Sequence, residues 1–505
     1  MMVRPRLPTG YITERRITHP ECRSFCGVSL VPSISERTLG TTGRVRHTGP
    51  VNNRGVVWGI GGAIATAVLV LACLRFLSPV ISLLLLGAGL LIVWALFKPL
   101  QAACVLAFLT AAFPKAGIKV DGFPFPVFLF GLILAVALAT IALGWKRRAP
   151  TMDILLLIYL VWVLCRVVAV GLPAGFTPAF QLLAWSAIPV VLLVITTHLK
   201  GDGTPIRKSL ERGFLVACVY ALVQFVGGVV ETAIPGLSYA LGDDILEKNN
   251  VIYSSTVADF SKIPSTYQNG NIFGLAAAVF FSAALLRIAK KQSSVQDVVV
   301  LLGALAAIAL SGSRTAILAA VIVTLVVFLR GGSLSRKLAI SAVAVGVVMS
   351  VVTIQPGFIE RYSIDNILAS GGAGRSDVWS MVLSQLTPLE YFFGTASWRT
   401  PAEGIIGMMM QIGIFGMILL VAIIARSISR RSGMWVVWLT LAIGASIDSS
   451  YMLFPTWFIP AALAAAAVTA PARPAESQPQ LVVPKSTTST RATGPSRTTA
   501  GTSSV

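Results

Sequence analysis

Residues 296–330 read QDVVVLLGALAAIALSGSRTAILAAVIVTLVVFLR, and this stretch decides the fold. Two apolar runs, 296–312 and 314–330, meet at Ser311-Gly312-Ser313-Arg314. Each approaches the length of helix that crosses about 30 Å of hydrocarbon, and the joint between them is tight, so these helices read as full spans or as tilted, broken or re-entrant ones. The pattern repeats outward in both directions. Fourteen apolar segments fall at about 56–74, 78–97, 100–113, 125–145, 152–171, 178–198, 212–231, 271–289, 296–312, 314–330, 337–354, 403–425, 434–450 and 453–470. The ten-residue alternation of a membrane barrel is absent.

Composition agrees. The 505 residues are 55% hydrophobic and 12% charged, with a mean hydropathy of +0.81. Ordinary soluble domains carry about 25% charged residues. The expectation is an all-α polytopic bundle of about 12–14 membrane helices spanning 55–470. Residues 1–54 hold nine Arg and no apolar run fit for a signal peptide, and read as a disordered basic tail. Residues 471–505, rich in Ser, Thr, Pro and Ala, read as a second unstructured tail.

The net charge of +20 does not imply nucleic acid, because the basic residues sit between apolar segments rather than on one face. With the N-terminus inside, Lys98, Lys146 to Arg148, Lys200 to Arg212, Arg287 to Lys291, Arg330 to Lys337 and Arg426 to Arg431 all fall on the cytoplasmic side. The opposite side then receives two long polar connections, 232–270 and 355–402, the joints large enough to build a site. Four cysteines, Cys73, Cys104, Cys165 and Cys218, lie in apolar runs and read as small packed hydrophobes. The Cys22/Cys26 pair lacks the second pair or His motif of a zinc site.

Exceptions to this charge rule carry the information. Arg314, Arg361, Arg375 and Arg399 fall on the extracytoplasmic side, and Arg166 lies near the outer end of its span. An arginine at membrane depth costs a few kcal/mol and calls for a partner. Arg314 either snorkels to the interface or presents a fixed guanidinium to a phosphate. In the second long loop, Gly374-Arg375-Ser376-Asp377-Val378-Trp379 and Gly394-Thr395-Ala396-Ser397-Trp398-Arg399 combine guanidinium with indole. That pairing suits a sugar diphosphate, and Trp379 and Trp398 equally suit interfacial anchors. Tyr267 and Asn271 read as sugar contacts or as helix-capping residues, and Asp243, Asp244 and Glu247 as a solvated acidic loop rather than a metal site.

Four motifs occur in order: Ile263-Pro264-Ser265-Thr266-Tyr267-Gln268-Asn269-Gly270-Asn271-Ile272-Phe273-Gly274, Ser311-Gly312-Ser313-Arg314-Thr315, Gly374-Arg375-Ser376-Asp377-Val378-Trp379, and Gln411-Ile412-Gly413-Ile414-Phe415-Gly416. Over about Ile263 to Ala425 the chain resembles the O-antigen polymerase and ligase superfamily of membrane glycosyltransferases. The resemblance implies transfer of a glycan from undecaprenyl diphosphate to an acceptor hydroxyl outside the cytoplasm, without metal or other cofactor. Arg314 and Arg375 would hold the departing diphosphate; beside them the residues' own chemistry makes Arg361, Arg399, Arg166, Trp379 and Trp398, and Tyr267 and Asn271 in their sugar-contact reading, candidates to line the substrate. It also implies a multi-pass protein of the bacterial plasma membrane, a lipid-linked oligosaccharide as donor and acceptor, and a flippase and chain-length regulator as partners, while the charge rule puts both termini inside.

Ligase-type members carry a His-Asn pair before the Gly-x-x-Gly that ends the loop. Here that region reads Thr400-Pro401-Ala402-Glu403-Gly404, and the three histidines, His19, His47 and His198, all fall inside. Glu403 is either a substitute base or a first-turn carboxylate favoured by the helix dipole. The missing histidine favours a polymerase of repeat units over a ligase. A flippase for the same lipid-linked sugar is the rival from another class, although its charges belong in a central cavity rather than beside a long loop.

Overall fold

The computed structural model describes residues 79–117, 119–120, 123–144, 152–198, 203–241, 262–267, 269–290, 294–330, 375–396, 404–430 and 435–447, with single positions between 338 and 353 and at 459 and 463. The elements are α1 (Pro79–Phe97), α2 (Pro99–Ala112), a two-residue hairpin of β1 (Lys119–Val120) and β2 (Phe123–Pro124), α3 (Phe125–Gly144), α4 (Met152–Arg166, continued by a π turn, Val167–Gly171, and by Leu172–Ala174) and α5 (Phe176–His198). They continue as α6 (Gly203–Gly227), α7 (Gly270–Ala289), α8 (Val295–Ser311), α9 (Arg314–Leu329), α10 (Arg375–Gln385), α11 (Pro388–Phe393), α12 (Gly404–Arg430) and α13 (Trp435–Ile447).

This is an all-α membrane bundle. Five described helices, within 154–174, 178–196, 203–227, 270–289 and 404–428, are long and apolar enough to cross a bilayer, and six shorter apolar helices accompany them. Leu157, Leu164 and Val168 on α4, Val219 and Val226 on α6, and Leu318, Val321 and Leu325 on α9 are exposed on its surface. In water such a surface would aggregate, whereas in lipid it is the solvated face.

At the centre stands α7, buried along nearly its whole length. Its small residues permit close approach, the usual basis of helix packing in lipid. A Cβ at Gly274 would collide with Ser311 Oγ and lie 2.8 Å from Ser313 Cβ, so the α8–α9 turn rests directly on the α7 backbone. Ser282 Oγ meets Thr440 Oγ1 of α13 at 2.6 Å, and Phe280 stacks on Phe214 of α6 at 4.0 Å. On the far side of α6, Gly213 lies so close to α2 that an added Cβ would strike the carbonyl oxygen of Phe108.

Two ends of the bundle are distinguished by their polar groups. At one, here the basic end, α6, α7 and α8 share a closed set of four charges. Arg287 Nε donates to Asp297 Oδ1 at 2.6 Å and its Nη2 to Glu211 Oε1 at 2.5 Å, while Arg207 Nη1 reaches Asp297 Oδ1 at 3.3 Å. Ser294 adds its N–H and hydroxyl to Asp297 Oδ2, and Gln296 donates to Glu211 Oε2. Sequence reading placed 200–212 in a joint because charges are expensive in a span. The residues from Gly203 are helical instead: these charges are neutralised across three helices, so the helix begins two turns earlier.

At the other, here the turn end, Gly312 takes the left-handed conformation (φ 59°, ψ 23°) that closes α8, and the Ser313 hydroxyl caps α9 by accepting from Ala316 N. The expected tight joint between 296–312 and 314–330 is this turn. Cys165 departs from expectation: it faces outward from α4, while Cys218 is buried and Cys104 half-buried. Cys73 and the acidic group Asp243, Asp244 and Glu247 lie outside the described residues, as do the proposed tails.

Candidate functional site

The connection before α7 is stitched into the turn end by its own side chains. Ser265 Oγ donates to Ala217 O at 2.6 Å, Thr266 Oγ1 to Ala112 O at 2.6 Å, and Tyr267 OH to Ala111 O at 3.0 Å. Ser265 adopts a positive φ of 54° to make this path, and Ile263 N donates to Leu310 O at 3.1 Å. Tyr267 is therefore buried with its hydroxyl committed to a backbone carbonyl. The helix cap falls to Asn269, whose Oδ1 accepts from Ile272 N, and Asn271 Oδ1 accepts from Lys262 Nζ at 3.1 Å. These bonds hold the Ser311-Gly312-Ser313 turn in place, with the half-buried Arg314 at the first position of α9.

A second feature of the turn end was not legible as geometry in the sequence. Helix α12 is broken at Gly413 (φ 69°, ψ 166°), about 13 Å along its axis from Gly404 at 1.5 Å per residue. Carbonyls released by such a break must find donors in lipid. Thr395 N supplies one to Met410 O at 2.6 Å, and Trp162 Nε1 supplies another to Ile412 O at 3.2 Å. Only glycine fits at 413, since a Cβ there would strike the carbonyl oxygen of Phe392.

The segment that reaches the break comes from the second long loop, which the sequence reading left as polar connection. Residues 375–396 instead form α10 and α11 and lie on α12. Val378, Trp379 and Val382 of α10, and Leu386 just beyond its end, recur at helical spacing and pack with Ile406 and Met410. Thr387 and Glu390 make a reciprocal capping box for α11, and Tyr391 OH ties α11 back to Leu383 O at 2.7 Å. Phe393 stacks on Trp162 at 4.7 Å and 7°, with Phe392 and Phe415 closing the same aromatic group.

Beneath this strap lies Arg166, only 1% exposed. Its Nη1 donates to Ser186 Oγ at 3.0 Å and its Nη2 to Thr395 O at 3.1 Å, and its Nε, also buried, has no hydrogen-bond partner. Tyr159 OH, bonded to Ser186 O, completes the floor. Directly after Arg166, α4 widens into the π turn Val167–Gly171, a rare distortion often found at functional positions. A Cβ at Gly394 would lie 3.1 Å from Arg166 Nε and 2.9 Å from Gly413 N, so strap, break and guanidinium are in direct contact.

The structure thus brings both Arg166 and Trp379 to the first half of α12, Arg166 by way of Gly394 at the Gly413 break and Trp379 beside Gly404. Arg314 stands on a different wall, on a helix that packs against α7 and α13, and α13 in turn touches α12. Trp379 lies beside Gly404 with its Nε1 buried and unbonded among the described residues. The backbone of Arg375 opens α10. Arg361, Arg399, Trp398 and Glu403 lie outside the described residues. Trp162, Ser186, Thr395, Gly394 and Gly413 join the site without having been singled out individually. The Gln411-Ile412-Gly413-Ile414-Phe415-Gly416 motif held the one signal, a glycine inside an apolar run. No protein-family model, curated protein or solved structure matches the chain.

Proposed function

We propose that the protein is an O-antigen polymerase-like glycosyltransferase, which joins polyprenyl-diphosphate-linked oligosaccharide units into a cell-surface polysaccharide on the outer face of the bacterial plasma membrane. The observation that carries this reading is the strap of the second long loop, folded onto a broken membrane helix above a fully buried guanidinium. Discontinuous helices and membrane-depth arginines are expensive features that mark sites for polar substrates in lipid. The order of the four sequence motifs supports the particular chemistry.

In that chemistry an acceptor sugar hydroxyl attacks the anomeric carbon of the donor glycan. The bond from that carbon to the diphosphate oxygen breaks, the hydroxyl proton passes to a base, and polyprenyl diphosphate leaves. The anomeric centre inverts. Charge gathers on the departing diphosphate, where Arg314 and Arg375 stabilise it as preorganised cations in a site shielded from water. Glu403 is placed by sequence to take the proton. The basic end, with Arg207 and Arg287, faces the cytoplasm under the positive-inside rule.

The test is to delete the gene and restore wild type, Arg314→Ala or Arg375→Ala at matched membrane abundance, then size the lipid-linked glycans. Single repeat units gathering on the outer leaflet in the deletion and both variants are expected. Finished polymer stranded on lipid would make it a ligase. Units trapped on the inner leaflet would make it a flippase, and unchanged glycans would remove the proposal.

A further inference from the structure

Three arginines are buried among the described residues, and two of them, Arg207 and Arg287, meet carboxylates. Arg166 meets none among the described residues. Its partners there are a hydroxyl and a carbonyl, both neutral, and its Nε–H, like Arg207 Nε and Arg287 Nη1, is buried without an acceptor, so the missing counter-charge is what sets it apart. A guanidinium buried at membrane depth without a counter-charge is strongly unfavourable unless an anion visits it. We infer that Arg166 is the receptor for a phosphorylated lipid head group, admitted when the strap over it lifts.

Residues 388–396 reach Arg166 through the Thr395 carbonyl, which accepts from Nη2 where a phosphate oxygen would take its place once the strap lifts. The same residue holds the strap to α12 by its N–H and hydroxyl on Met410 O. The outward side of the strap is apolar and exposed, at Leu389 and Phe392, and the neighbouring outward positions of α4 are Val168 and Leu172. The approach to Arg166 is therefore lined for acyl or isoprenoid chains rather than for a soluble phosphate. When the strap withdraws, Arg166 Nε and Nη2 present the side-on fork that grips two oxygens of one phosphate.

The role of this site in the reaction rests on the proposed polymerase activity. Polymerisation brings two lipid diphosphates together, one leaving and one remaining on the acceptor. Arg314 and Arg166 stand on different walls of the turn end, so the structure assigns Arg166 to the second lipid.

The experiment uses the purified full chain in phosphatidylcholine nanodiscs, with undecaprenyl diphosphate as probe, undecaprenol as the uncharged control and phosphatidylglycerol as competitor. Bound lipid is counted by native mass spectrometry. Wild type is expected to retain undecaprenyl diphosphate over undecaprenol, and Arg166→Gln to bind the more weakly held equivalent at least about tenfold less. Arg314→Ala keeps the Arg166-dependent equivalent. Gly394→Ala, whose methyl would press on Met410 O, Gly413 N and Arg166 Nε, loosens the strap and speeds exchange of that lipid. Should Arg166→Gln fail to fold, Arg166→Lys keeps the charge without the fork, and an intermediate loss is expected.

Equal binding by wild type and Arg166→Gln, or no preference for diphosphate over undecaprenol, overturns the inference. Displacement by phosphatidylglycerol at equal concentration assigns the crevice to bulk phospholipid and overturns its substrate role. The two proposals fail separately. Arg166-dependent binding in a protein whose deletion leaves glycans unchanged removes the polymerase reading alone. Arg166-independent binding in a protein that polymerises removes the Arg166 site alone.

Discussion

At the basic end of the bundle, Arg207 and Arg287 are buried against Glu211 and Asp297, and every charge has its opposite within one cluster. At the turn end, Arg166 is buried more completely, and its hydrogen-bond partners among the described residues are Ser186 Oγ and the Thr395 carbonyl. The contrast separates two uses of the same side chain. A cluster whose charges balance, even with Arg207 Nε and Arg287 Nη1 left without acceptors, joins α6, α7 and α8. The uncompensated arginine lies between a broken helix and the strap of 388–396. Burial alone does not separate the two kinds of arginine; the presence or absence of a carboxylate partner does.

The largest effect should come from opening the closed cluster. Asp297→Ala leaves Arg287 and Arg207 to share Glu211, and a loss of about 3–5 kcal/mol is expected, seen as a lower midpoint of thermal unfolding in detergent and reduced membrane abundance. Wild-type stability in this variant would show that the cluster does not hold the three helices. Next in size is Gly413→Ala, which puts a side chain into a left-handed position against Phe392. About 1–3 kcal/mol should be lost, with faster proteolysis in the 388–396 strap. Trp162→Phe keeps the stacking on Phe393 and removes the donor to Ile412 O. A loss of about 1 kcal/mol is expected, measurable by the same unfolding curve.

The smallest change in stability sharpens the contrast most. Arg166→Gln removes an uncompensated charge and should leave the unfolding midpoint unchanged or slightly raised, within about 1 kcal/mol, while glycan polymerisation is lost. Destabilisation as large as that of Asp297→Ala would place Arg166 in the same structural class as the arginines of the basic end.

Most helix positions were open to sequence because their limits are local. The segments read at 125–145, 271–289 and 314–330 are the helices Phe125–Gly144, Gly270–Ala289 and Arg314–Leu329. Each is bounded by charges, turn residues or a cap that acts within a few positions. Reading failed where the deciding partner was distant. The segment at 212–231 is helical from Gly203 because Glu211 and Arg207 find Arg287 and Asp297, some 76 to 90 residues away. Its early stop follows from Gly228, at φ 87°.

The candidate site divides the same way. Arg166 and Arg314 stood out as arginines against the charge rule, which is a property of composition. That Arg166 is roofed by Thr395 could not be read, because 229 residues separate them. The break at Gly413 likewise depends on the close approach of Phe392, which no periodicity encodes. Tyr267 shows the converse: its motif was legible, and its environment, a hydrogen bond to Ala111 O from a buried phenol, belongs to the tertiary structure.

The most direct measurement of glycan transfer is reconstitution of the purified chain in liposomes supplied with a polyprenyl-diphosphate-linked repeat unit, followed by gel sizing and by quantifying released polyprenyl diphosphate. A ladder of longer lipid-linked glycans is expected, with one lipid diphosphate released per bond formed, and absent with Arg314→Ala. Repeat units that stay single while the wild-type protein remains folded in the membrane would contradict it.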